Sequence, residues 1–93
     1  MTGNENLIGD VVGVIVEKVL MEIGIQSHAK VAEILGAHNM MFSDCYRNPD
    51  VLNFALKELY GDSYLVLVEK IRNELTGFEN HEKLDLFIQK ISE

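Results

Sequence analysis

Cysteine and proline each occur once in the 93 residues, and tryptophan not at all. A lone thiol, Cys45, excludes an intrachain disulfide and points to a reducing, cytoplasmic setting. With Pro49 the only proline and no Ser- or Gly-rich stretch, nothing marks a linker, so the chain reads as one domain, 1–93. Basic residues are scarce, eight Lys and Arg against fifteen Asp and Glu, for a formal net charge of −7. That balance disfavours nucleic acid and anionic membranes as main partners, because both need clustered cations. The start, Met1 to Asn6, lacks the positive charge of a signal peptide. The apolar run Val11 to Val16 is far too short to span a bilayer. The chain reads as soluble.

What is present is helix. Apolar residues make up 47% of the chain, enough for a core in a domain of this length. The best-specified stretch runs from Asn48 to Leu75. Asn48 suits an N-cap, and Pro49 suits the first helical position, where its missing N–H costs nothing. Gly61 can take the positive φ that ends a helix, and Asp62 can cap the next. Val51, Leu52, Ala55, Leu56 and Leu59 share one face of the first helix, with Phe54 off it. Tyr64, Leu67, Val68, Ile71 and Leu75 share a face of the second, with Leu65 and Val66 off it.

Before this pair, a helix is predicted over 6–23 although Val11, Val12, Val14, Ile15, Val16 and Val19 are β-branched. Its length and the helical spacing of Glu17, Lys18 and Glu22 decide against a strand. Ile8, Val12, Ile15, Val16, Val19 and Ile23 form one apolar face. Leu7, Val11, Val14 and Met21 form a second, more than a small core needs. Gly9 and Gly13, four apart, would let another helix come close. Ser27 is the expected cap of a short helix to about Leu35, ended by Gly36. Residues 37–47 are irregular, with Met40, Met41, Phe42 and Tyr46 expected to fold back onto the core. After Gly77 and Phe78, Asn80 can cap a last helix to about Ile91, with Leu84, Phe87, Ile88 and Ile91 inward. The predicted fold is all-α, a compact domain of about five helices around the 49–60 and 62–76 pair.

Several residues carry a likeness to a known family: Ser43-Asp44-Cys45-Tyr46, Pro49, Leu52, Leu56-Lys57-Glu58-Leu59-Tyr60-Gly61, Ser63-Tyr64, Val68-Glu69, Ile71, Leu75 and Phe87-Ile88. In these the chain resembles the archaeal output domains named after Nitrosopumilus (the fifth such type), small helical modules found alone or with receiver domains. The resemblance covers about half of the chain. It implies a helical fold and an archaeal signal-transduction or interaction setting, and it brings no catalytic residues.

No pattern of chemistry stands against that. His28, His38 and His81 lack the close spacing of a zinc site, and Cys45 has no neighbouring cysteine. Cys45 sits between Asp44 and Tyr46, where a negative neighbour disfavours the thiolate, and a buried structural thiol is the expectation. Asp10 follows Leu-Ile-Gly like a phospho-acceptor, but the βα repeats such a site needs are missing. Gly9 and Gly13 are followed by no Gly-Lys-Ser/Thr. The helix pair invites comparison with a helix-turn-helix, yet its second helix, opening Tyr64-Leu65-Val66, is not a basic reading helix. No catalytic group, metal or cofactor is expected. The expected role is a non-enzymatic interaction or regulatory module, a homodimer or a binder of a protein partner. Its interface candidates are Leu7, Val11, Val14, Met21 and Phe54. A DNA-associated regulator is the alternative.

Overall fold

The computed structural model describes residues 3–77 and 81–93, with side chains from Leu7 to Gly77 and from Glu82 onward. The described residues form five α-helices and no strand: α1 (Gly3–Ile23), α2 (Ile25–Ala37), α3 (Pro49–Tyr60), α4 (Tyr64–Leu75) and α5 (His81–Ile91). Short 3-10 turns, Phe42–Asp44 and Gly61–Ser63, precede α3 and α4. The all-α fold expected from the sequence is the one observed.

The α3–α4 pair is central: α3 packs on α2, α4 and α5, and α4 packs on α1, α3 and α5. Leu52, Ala55 and Leu56 from α3 meet Leu67, Val68, Ile71 and Leu75 from α4 in one apolar cluster. Leu84, Phe87, Ile88 and Ile91 of α5 close it from one side, and Val12, Val16, Val19 and Leu20 of α1 from the other. Burying each such side chain stabilises the fold by roughly 1.5–3 kcal/mol, which is why α1 holds as a helix despite its β-branched run. Two side chains tie down the end of α5, where the last carbonyls have no partner within the helix. Asn53 Nδ2 donates to the Ile91 carbonyl at 2.8 Å, and the Tyr64 hydroxyl donates to the Ser92 carbonyl at 2.8 Å.

The caps differ from expectation. Gly24 alone separates α1 from α2, its carbonyl accepting the N–H of Ser27 at 3.1 Å, so Ser27 lies inside α2 rather than capping it. Gly36 lies inside α2 as well. The left-handed residue that ends the helix is Asn39, at φ 59°. Met40 N–H donates to the Leu35 carbonyl and Asn39 N–H to that of Gly36, the bond pattern of a Schellman end with Asn in the usual glycine place. Asn48 stands at the start of α3, but its amide turns back to the Asp44 carbonyl at 3.4 Å. Gly61 has the expected positive φ, 55°. Asp62 does not cap α4, because one 3-10 turn intervenes. Ile23, placed with the core by periodicity, is exposed, since α1 ends there. Phe78 and Asn80 lie outside the described residues.

Gly9 and Gly13 do permit a close approach, but of a turn and not a helix. A Cβ on Gly13 would stand 2.8 Å from Ser43 N and 2.9 Å from Phe42 C; one on Gly9 would stand 3.0 Å from Ser43 O. These neighbours are backbone, and that turn is closed on itself: Met41 N–H donates to Asp44 Oδ2 at 2.9 Å, and Asp44 N–H to the Met41 carbonyl at 2.9 Å. Gly13→Ala should therefore lower the unfolding free energy by roughly 1–3 kcal/mol, as overpacking does. Gly36→Ala, with open space around its Cβ, should raise it by roughly 0.4–1 kcal/mol. Urea unfolding followed by circular dichroism measures both.

Candidate association surface

Docking the Phe42–Asp44 turn on α1 opens a groove beside it. Its volume is about 510 Å³, and its walls include Asp10, Val14 and Glu17 of α1, His28 of α2, and Met41 and Phe42 of the turn. His28 braces this corner. Its ring stacks on Phe42 with centroids 4.9 Å apart, and its Nε2 lies 3.0 Å from Glu17 Oε1. One turn beyond Val14, Lys18 Nζ donates to Glu74 Oε1 at 2.8 Å, joining α1 to α4. The hydrogen bond to Glu74, then its charge, hold the Lys18 ammonium above its usual range.

Of the candidate interface residues, Leu7, Val14 and Met21 are 62%, 64% and 51% exposed, and their seven-residue spacing sets them in a row along α1. Val11 leaves the row: it is half-buried against the core, on the flank toward its neighbours. Phe54 is 50% exposed but stands apart on α3, its ring edge-on to His38 at the end of α2, with centroids 6.4 Å apart. Met41, expected inward, is 71% exposed at the mouth of the groove, because the turn spends its inward positions on Phe42 and Cys45. Two apolar residues of α4, Leu65 and Val66, are also exposed.

A second surface was missed by sequence reasoning. On α5, Lys83, Leu86 and Lys90 line a hollow of about 330 Å³ with Tyr46, Arg47, Asp50 and Phe87. Leu86 is 60% exposed. The helical wheel carried the signal, since Leu86 falls beside Lys83 and Lys90 and away from the buried Leu84, Phe87, Ile88 and Ile91. Three of the chain's eight basic residues gather here, the reverse of the overall charge.

The residues considered for chemistry are dispersed. Cys45 is fully buried, and desolvation first, then the charges of Asp44 and Glu17, push its thiol up to about 12. Asp10 is exposed in the middle of a helix. Among the described residues no three His, Cys, Asp or Glu side chains group as metal ligands. Nor is any described helix long and apolar enough to cross a membrane. No family model matches the chain, and neither a curated protein nor a solved structure matches it.

With the folded thiol raised from its ordinary 9.0, the native state holds a proton that the unfolded chain releases above that value. The resulting stabilisation is complete below about pH 9 and is lost as pH climbs toward 12. Cys45→Ala should flatten that alkaline slope. In the wild type, iodoacetamide at neutral pH should label Cys45 only as fast as the fold opens, and mass spectrometry after timed quenching reads that rate.

Proposed function

We propose that the protein is a non-enzymatic helical association module, a signalling output domain of the kind that its residues from Ser43 to Ile88 resemble, acting in the cytoplasm. It works by joining another protein surface, a second copy or a partner, through the outer face of α1. One observation carries this reading: Leu7, Val14 and Met21 stand in line, each more than half exposed, and run past a groove opened by exposed Met41. Apolar side chains aligned on one exposed helix face point to a contact site, whereas apolar residues scattered singly do not. The rigid backing supports the same reading. Directly behind the row lie the fully buried Val12, Val16 and Val19, so the ridge is presented without a loop to order on binding.

The triple variant Leu7→Ser/Val14→Ser/Met21→Ser removes the ridge and leaves the core intact. Association should weaken by about 2 kcal/mol or more, roughly thirtyfold, as loss of a hot-spot cluster does. Sedimentation equilibrium across the micromolar range reads self-association, and parallel affinity capture from the native cells reads partners. A wild-type chain that sediments as single copies, with the triple variant retaining the same captured proteins, would overturn the reading.

A further inference from the structure

The hand of the α-helix decides which charges meet when α1 of one copy faces α5 of another, and this deepens the association reading above and rests on it. On α1, Asp10, Val14 and Glu17 follow at i, i+4 and i+7, and on α5, Lys83, Leu86 and Lys90 follow at i, i+3 and i+7. At ~100° per residue, Asp10 and Glu17 lie about 40° and 60° counterclockwise of Val14, seen from the N-terminus. Lys83 and Lys90 lie about 60° and 40° clockwise of Leu86. Between two helices that run in the same direction, the counterclockwise flank of one meets the clockwise flank of the other. Between helices that run in opposite directions, like flanks meet. With Val14 on Leu86, a parallel pair therefore brings both acids to the two lysines, whereas an antiparallel pair sets them beside Glu82 and Gln89. At ~1.5 Å per residue, Lys83 then stands within about 1.5 Å of the height of Asp10, and Lys90 within about 1.5 Å of that of Glu17.

We propose that the protein associates head to tail with itself, α5 of one copy lying parallel to α1 of the next, with Lys83 on Asp10 and Lys90 on Glu17. Val14 and Leu86 supply the apolar centre, both more than half exposed in the single chain. Charges flanking an apolar seam fix the partner and the direction of a helix pair. The other edge carries no conflict: Gln89 comes beside Lys18, and Glu82 beside the half-buried Val11. The groove borders the acidic flank of α1 and the hollow borders the basic flank of α5. Two concave edges thus face one another and leave room for the lysine stems. The new pairs join networks already present, since Glu17 also meets His28 and Lys83 has a partner within its own chain. Pairing α1 with α1 is the poorer solution. Antiparallel copies set Asp10 against Glu17 twice on one flank, and like charges so placed oppose association. Parallel copies offer Glu17 only Lys18, which Glu74 already holds.

Because the two faces differ, each bound copy leaves one face open, and growth continues unless a ring closes. In sedimentation equilibrium the wild-type mass should climb with concentration past two copies. Lys83→Glu/Lys90→Glu should associate about tenfold more weakly or worse, as like charges at an interface do. Cross-linking reads the direction. Asp10→Cys, Lys83→Cys and Lys90→Cys alter exposed positions, and circular dichroism verifies that each variant folds. The native Cys45 is fully buried and does not compete. Mixed and oxidised with copper–phenanthroline, Asp10→Cys and Lys83→Cys should give a disulfide-linked two-chain band on a non-reducing gel. Asp10→Cys and Lys90→Cys, about 12 Å apart along the axis, should give at least about tenfold less. A stronger band from the Lys90→Cys mixture, equal bands, or none from either overturns the parallel mode while association through α1 survives. A Lys83→Glu/Lys90→Glu chain that associates as well as wild type does the same. A wild-type chain that stays at one copy overturns the inference outright, and the association reading falls with it only if loss of the ridge leaves partner capture unchanged.

Discussion

Two glycines on α1 let the backbone of Phe42 and Ser43 lie where a side chain would otherwise stand. Much of the site's geometry follows from that contact. Drawn onto α1, the turn sends Phe42 under the His28 ring and Cys45 into the core, and leaves Met41 outside. The chain between α2 and α3 is thereby a packed connection whose position is set by backbone sterics. The groove beside α1 exists because the turn stands against Gly9 and Gly13 while Val14, one residue further on, faces out.

The same helix serves two purposes through its two faces. Val12, Val16, Val19 and Leu20 are fully buried, whereas Leu7, Val14 and Met21 face solvent. A core of this size cannot cover both sides of a 21-residue helix. Acidic residues beside the exposed ridge give it a sign, and the basic stripe on α5 carries the opposite one. Charge distribution, more than net charge, distinguishes these surfaces: a chain at −7 still presents a local cationic face where Lys83 and Lys90 flank Leu86.

Periodicity made the helices and most of the core legible. The inward sets of α3, α4 and α5 follow from apolar spacing, and Phe54, Leu65 and Val66 were off the packed faces in the pattern as they are in the fold. Helix ends were less legible, because several residues near each end can cap and neighbours choose among them. Asn39 takes the place expected of Gly36, and Gly24 that expected of Ser27. Val11 and Met41 exchanged roles for a similar reason: periodicity tells which residues share a face, not which neighbour covers it.

By itself the sequence determined that this is an all-α chain with a Gly-cornered helix pair, a buried thiol and more apolar helix surface than its core needs. Those properties rest on local spacing, positive-φ tolerance and residue size, which the order of residues carries directly. The tertiary structure alone decided which part of that surplus stays outside, that a turn rather than a helix meets Gly9 and Gly13, and that a groove opens beside Val14. These depend on residues about thirty positions apart coming together, and no local pattern encodes that meeting.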